Sequence, residues 1–324
     1  MSKKVKLAIP KGSLERATIE MLSASTMDIR FNERSYRPYI SDPEIYIKIL
    51  RPQEIPTLVE QGFYDLGISG RDWINETGAD VKELLDLQYG SVKIVIAGPA
   101  TTGKSVNAIV EDFVKNGKRL RISTEYPNIA SRYISSLPSY RKIFGKKMPK
   151  IYTPWWSVGE NDMVSIFLSF GATEAKPPEE ADLVVDVTET GTTLQENGLA
   201  ILDDIMKSNA VLIANKNSIN DVSKEEKILD ILALLRGVVD AKNKLHIFVN
   251  VREENLQALI ASLPSLKGPT VSRLSSEGWY AVNTVIDREQ YLKLLPKLRK
   301  LAQGLVVHYP VAILPLEDIK VDKI

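Results

Sequence analysis

Short apolar runs alternate with amphipathic stretches from the start of the chain onward, the pattern of β-α units around mostly parallel sheets. Val5 to Ile9, apolar except at Lys6, predicts a buried strand, and it runs into Pro10-Lys11-Gly12-Ser13. Beyond that turn Leu14, Ala17, Ile19 and Leu22 recur at helical spacing, with Ser13 placed as an N-cap. The cycle repeats as a strand over 45–50, a helix over 53–61 and a strand over 65–69, where Gly67 and Gly70 flank a tight exit. A strand over 92–97 ends in Gly98-Pro99, and Thr101 to Ser105 reads as the passage between two lobes. A second series follows, with helices over 109–115 and 128–137 around a strand over 120–123, and later strands over 183–187 and 210–214. Between 138 and 158 neither period is visible, which fits either an extended surface loop or a packing insertion.

From Ser223 a helix is predicted to about residue 242, with Ile228, Ile231, Leu232, Leu235 and Val239 on one face. The rhythm then changes to strand 245–251, helix 254–263, strand 270–274, strand 280–286, helix 288–303 and strand 305–314. That order is βαββαβ, a ferredoxin-like unit whose two helices cover one face of its sheet. The uncovered face or edge favours a second copy, so a homo-oligomer is expected.

Composition removes whole classes of chemistry. The 324 residues suffice for two or three domains, and 42 Lys and Arg against 41 Asp and Glu leave a net charge of +1. No basic field exists to attract nucleic acid or an anionic membrane, so any anion must be held locally. Cysteine is absent, which excludes disulfides, thiol nucleophiles and Cys-ligated metal. The 2 histidines, His246 and His308, sit in strand-like apolar surroundings and cannot supply a multi-His metal site. The apolar run before Pro10 is too short for a signal-peptide core, and a cytoplasmic location is expected.

The sharpest local feature is the segment Asp186-Val187-Thr188-Glu189-Thr190-Gly191-Thr192-Thr193-Leu194, between an apolar strand and a predicted helix. Its threonines and glycine offer hydroxyls and backbone N–H groups to one small volume, which suits a phosphate. Gly-Lys-Ser/Thr at Walker spacing is missing, and Thr102-Gly103-Lys104-Ser105 lacks the earlier glycine, so a P-loop is disfavoured. Asp186 and Glu189 would repel a bare phosphate and need another task, such as accepting hydrogen bonds from sugar hydroxyls or reaching a phosphate-bound Mg2+. A phosphorylated ribose satisfies both halves of the segment. A Thr-rich turn that merely caps a helix satisfies it as well, and physics alone leaves the two readings level.

Beyond this point a resemblance adds what the residues do not decide. LAIPKGSL (7–14), LRPQEIP (50–56), DLGISGRDW (65–73), NGKRLRISTEYPN (116–128), FGATEAKPP (170–178), VDVTETGTTLQENGL (185–199) and GPTVSRLSSEGWYAV (268–282) together resemble the ATP phosphoribosyltransferases of histidine biosynthesis, in their long form. The stretch from Pro138 to Ser169 departs from that family by its length. The resemblance implies two periplasmic-binding-protein-like lobes of type II plus a C-terminal histidine-sensing, ACT-like domain. Residues 1–97 with 188–225 would form the first lobe, 98–187 the second, and 226–324 a linker helix with the regulatory domain, ferredoxin-like from about 244. It further implies ATP and phosphoribosyl pyrophosphate as substrates, Mg2+ as cofactor, histidine as inhibitor and a dimer or hexamer. Carried over by motif, Asp186 to Leu194 would bind the phosphoribosyl group, with Lys11 and Arg51 near the pyrophosphate. Gly12, Gly67, Gly70 and Asp72 would line the cleft for the nucleotide, Glu174 would accept charge or a proton, and Thr270 and Ser272 would contact histidine. Competing readings are a non-catalytic two-lobed sensor, for which no export signal or DNA-binding module is visible, and a phosphoribosyltransferase acting on another base.

Overall fold

A computed structural model describes residues 4–27, 29–30, 35–264 and 268–314. The chain divides into two units, the first made of Lys6–Ala17 and Ile47–Ser218, the second drawn from the described parts of Met1–Val5, Thr18–Tyr46 and Ile219–Ile324.

Two sheets build the lobes. One has five strands in the order Ile45–Leu50, Val5–Pro10, Leu66–Gly70, Ala210–Ala214 and Lys82–Asp86. Every residue of Leu66–Gly70 and Ala210–Ala214 is buried, which explains why these segments read as continuous apolar runs and not as alternating ones. The other sheet has seven strands: Ser157–Val158, Pro149–Tyr152, Asn161–Leu168, Leu120–Thr124, Leu183–Thr188, Val92–Pro99 and Leu199–Ser208. Its core packs Ile94, Ile96, Ile122, Ile134, Tyr140, Ile166 and Val185 beneath the helices Val106–Lys115 and Pro127–Ser136. The two-lobed α/β architecture is the expected one.

The lobe boundaries are not. Val92–Pro99 pairs on one side with Leu183–Thr188 and on the other with Leu199–Ser208, so residues 92–97 and 188–208 belong to the second lobe and not the first. The chain crosses between the sheets at 87–91 and again at Asn209, where Leu87 N–H donates to Ala210 O at 3.0 Å and Ala210 N–H to Tyr89 O at 2.9 Å. Thr101 to Ser105 is no crossing: Ser105 Oγ accepts from Ala108 N–H at 3.3 Å and caps the Val106–Lys115 helix. The unpatterned stretch extends the sheet through the helix Pro138–Phe144 and the strands Pro149–Tyr152 and Ser157–Val158. Tyr140 anchors it from a fully buried position, its hydroxyl accepting from Asn161 Nδ2 and donating to Lys147 O, each at 2.8 Å.

In the second unit the helix Val222–Ala241 starts at Asp221, whose Oδ1 accepts from Ser223 N–H at 3.0 Å. A four-stranded antiparallel sheet follows in the order Thr270–Arg273, Trp279–Asp287, Lys244–Arg252, Ala302–His308, backed by the helices Glu253–Ser262 and Arg288–Leu301. This is the ferredoxin-like order, packed on Leu245, Ile247, Val249, Val282, Ile286, Leu294 and Leu298. The last strand ends at His308 and not at Leu314, because the chain turns away to place Ile313 N–H on Gly237 O at 2.8 Å. A Cβ on Gly237 would stand 2.9 Å from Leu314 Cγ, so that close approach requires glycine. His246 and His308 are register partners around Phe248, the first half-buried and the second exposed. Among the described residues no helix is long and apolar enough to cross a membrane.

Candidate active site

Four parallel strands of the second lobe, Pro149–Tyr152, Asn161–Leu168, Leu120–Thr124 and Leu183–Thr188, end at one edge of their sheet. Their carboxyl-end loops emerge together there, the place where open α/β sheets hold ligands. A cavity of about 420 Å³ opens at this edge, lined by Glu174, Asp186, Val187, Thr188, Glu189, Thr190, Thr193 and Leu194.

The threonine turn is held by its own hydroxyls. Thr188 Oγ1 accepts from Gly191 N–H at 2.8 Å, and the hydroxyls of Thr190 and Thr192 lie 2.9 Å apart. Gly191 has φ of 84°, in the left-handed region that glycine adopts without strain, and leads into the short helix Thr192–Glu196. The turn is thus preshaped, with Glu189, Thr190 and Thr193 on the cavity.

Charge in the cavity is one-sided. Burial pushes the Asp186 carboxyl up to about 6, and the carboxylates of Glu174 and Glu125 push the same way, against the Val187 N–H that donates to Asp186 Oδ1 at 2.7 Å. Glu125 is raised as well, by burial first and by Glu174 second, despite accepting the Gly171 N–H. Among the described residues no Lys or Arg lines the cavity. Three carboxylates held this way are suited to sugar hydroxyls or developing positive charge, not to an unaccompanied phosphate. Glu125 escaped the sequence reading. Its signal was position, directly after the carboxyl end of a predicted strand, the same logic that singled out Asp186.

The remaining sequence candidates lie elsewhere. Lys11 and Arg51 stand at neighbouring strand ends of the first lobe, joined by the Lys11 N–H that donates to Leu50 O at 2.7 Å. Gly12 is exposed with φ of 89°, and its N–H donates to Glu15 Oε2 at 3.3 Å. Gly67 and Gly70, expected to line the cleft, are buried, and packing accounts for both. A Cβ on Gly67 would stand 2.6 Å from Ile55 Cγ2, and one on Gly70 would stand 2.1 Å from Asp72 Oδ1. Asp72, also expected to face nucleotide, is 5% exposed and already engaged. Its carboxylate accepts from Ser208 Oγ at 2.6 Å and from Tyr126 OH at 3.0 Å. One turn on, Glu76 accepts the N–H groups of Asn128 and Ile129 at 2.9 Å each, while Trp73 packs on Tyr126 with ring centroids 4.5 Å apart. The helix Arg71–Thr77 therefore ties the first lobe to the start of Pro127–Ser136 in the second, a structural task for Asp72 and Glu76. Thr270 and Ser272 are exposed on the edge strand of the ferredoxin-like sheet, opposite Asn283 and Ala281.

Among the described residues no three His, Asp or Glu side chains converge into a ready-made metal nest. The oxygen-only donors Asp186, Glu174 and Glu189 fit a hard divalent cation that keeps water and phosphate among its ligands.

Comparison with known proteins agrees with this reading. Residues 51–237 match the family HisG, ATP phosphoribosyltransferase, and residues 241–311 match the HisG C-terminal domain. An ATP phosphoribosyltransferase of Solibacter usitatus is 38% identical over 312 residues, covering 94% of this chain and 97% of the relative. Another from Thermodesulfovibrio yellowstonii is 37% identical, covering 95% of this chain and 97% of its own. Among solved structures, the ATP phosphoribosyl transferase (HisG:HisZ) complex from Thermotoga maritima aligns at 28% identity with a TM-score of 0.56, over 73% of this chain and 98% of that one.

Proposed function

The chain belongs to the ATP phosphoribosyltransferase family in its long form and is a pentosyltransferase of histidine biosynthesis, and from that premise we propose how its cavity carries the reaction. Phosphoribosyl pyrophosphate lies with its 5′-phosphate on the Thr188 to Leu194 turn, held by hydroxyls and backbone N–H groups. Asp186 and Glu189 accept from the ribose hydroxyls and fix the ring. N1 of ATP, which already bears a lone pair, attacks the anomeric carbon; the new N–C bond forms while the C–O bond breaks and its electron pair leaves with pyrophosphate. The products are phosphoribosyl-ATP and pyrophosphate.

Positive charge develops on the sugar in this displacement, and the carboxylates of Asp186, Glu174 and Glu125 stabilise it without having to reorganise. Lys11 and Arg51, from the first lobe, meet the departing pyrophosphate. Glu174 holds the proton that the adenine amidine gives up as its charge redistributes. Mg2+, held by Asp186 and Glu174 together with substrate oxygens, would supply countercharge to the leaving group. Orientation provides much of the rate, so the scarcity of histidine is no handicap.

The C-terminal domain binds histidine and lowers activity, with Thr270 and Ser272 toward the amino acid's polar groups, and it assembles a dimer or hexamer in the cytoplasm. The match to the HisG C-terminal domain supports this part. The observation that carries the whole reading is a preshaped threonine turn beside mutually repelling carboxylates with no protein cation among them. The test is turnover of ATP with phosphoribosyl pyrophosphate, with and without Mg2+ and histidine; product forming equally well after the metal is chelated would remove the metal role, and no product at all would remove the reading.

A further inference from the structure

The cavity at the strand edge is polar and offers a purine little ring-sized surface, yet the acceptor's base must lie against the sugar it attacks. An aromatic surface stands at the same edge. Phe170, 71% exposed, opens the loop that carries Glu174, and Trp155, 73% exposed, meets it edge-on with ring centroids 5.9 Å apart. The next residue, Gly171, donates its N–H to Glu125, so this aromatic pair continues directly into the carboxylate group.

The indole is presented by a rigid turn. Thr153 Oγ1 accepts from Trp155 N–H at 3.3 Å and Trp156 N–H at 3.0 Å, while Thr153 N–H donates to Trp156 O at 2.9 Å. Both loops leave carboxyl ends of adjacent parallel strands, Pro149–Tyr152 and Asn161–Leu168. Large aromatic surface exposed on a hydrogen-bonded turn at the same sheet edge as a reaction cavity is matched by a flat, uncharged, π-rich ligand part. The triphosphate is repelled by the carboxylates, which leaves the base as the part of the nucleotide that belongs here.

We infer that Trp155 and Phe170 form the stacking wall for the purine of the acceptor nucleotide and set the enzyme's affinity for it. This rests on the reaction proposed above and adds Trp155, from the stretch without visible period, and Phe170, which opens the 170–178 motif. Trp155→Ala and Phe170→Ala each raise KM for ATP about tenfold and leave KM for phosphoribosyl pyrophosphate within about twofold, and Trp155→Phe restores most of the loss. ATP added alone quenches indole fluorescence in the unaltered protein, and Trp155→Phe loses most of that quenching while keeping its KM near normal. A KM for ATP that moves less than twofold in Trp155→Ala, or moves together with a halved particle mass in light scattering, overturns the inference, the latter making the patch a contact between copies. Should the unaltered enzyme fail to turn over, the proposed reaction falls, and quenching by ATP still decides whether the wall binds a nucleotide.

Discussion

Two groups of acids in the first unit, one buried and one half-buried, face different circumstances. Asp72 and Glu76 are 5% and 7% exposed, and each carboxylate is met by protein donors: Ser208 and Tyr126 for one, two backbone N–H groups for the other. Asp186 and Glu174 line an open cavity, and burial first, with neighbouring carboxylates adding to it, raises Asp186 and Glu125 although each accepts one backbone N–H. Burial alone does not mark a functional acid. What separates the groups is how far the fold has supplied donors: two each for Asp72 and Glu76, against one backbone N–H each for Asp186 and Glu125.

The largest expected effect falls on the open group. Asp186→Asn keeps size and removes charge, and kcat/KM for phosphoribosyl pyrophosphate should drop by about two to three orders of magnitude with circular dichroism unchanged. Steady-state kinetics matching the parent would erase the distinction between the groups. On the fastened side, Asp72→Ala strands the Ser208 and Tyr126 hydroxyls in the core and should cost about 2–4 kcal/mol of stability, seen as a lower midpoint in urea. Glu174→Gln, by contrast, should leave that midpoint where it was.

The pH dependence sharpens the contrast. With the folded Asp186 carboxyl at about 6, above the ordinary value of 3.8, the folded state holds a proton that the unfolded state has released. The contribution to stability is therefore complete below about pH 4 and is lost as pH rises through 6. Asp186→Asn removes that loss, so the unliganded variant should be more stable than the parent by about 1–3 kcal/mol at pH 8, with the advantage gone at pH 4. Parallel pH curves of unfolding free energy for the two proteins would contradict the cavity electrostatics. The smallest effect belongs to an acid that is neither buried nor on the cavity. Asp204 pairs with Lys93 at 2.6 Å with both side chains more than two-fifths exposed, and Lys93→Met should shift stability by less than about 0.5 kcal/mol.

The residue types of the candidate site were legible in the sequence. The threonine turn and its acids stood out as residues suited to a sugar phosphate or to a helix cap, and the strand-end positions of Lys11 and Arg51 followed from the β-α rhythm, whereas the strand Asn161–Leu168 that leads toward Glu174 did not. The motif of Gly67, Gly70 and Asp72 is equally demanded by packing, which sequence alone does not separate from a ligand contact: Gly67 clears room for Ile55, and Gly70 clears room for the Asp72 carboxylate. Glu125 has no local signature as a lone acid beside a buried strand, and a Trp pair in an unpatterned stretch reads from sequence as packing more readily than as stacking. Their meaning comes from loops that are distant in sequence and share one sheet edge.

The local pattern by itself determined the β-α rhythm, the ferredoxin-like order at the end of the chain and the residue types of the threonine turn, since each depends on spacing within a dozen or so residues. Which strand pairs with which was decided only in three dimensions. Val92–Pro99 joins the second lobe because Leu183–Thr188 and Leu199–Ser208 close on it from both sides, and Asp72 turned inward because Ser208 and Tyr126, 136 and 54 residues away, bring the hydroxyls that satisfy it. Hydrophobic periodicity specifies a buried face without specifying its partner, and a carboxylate's role is set by whichever donors the tertiary fold brings to it.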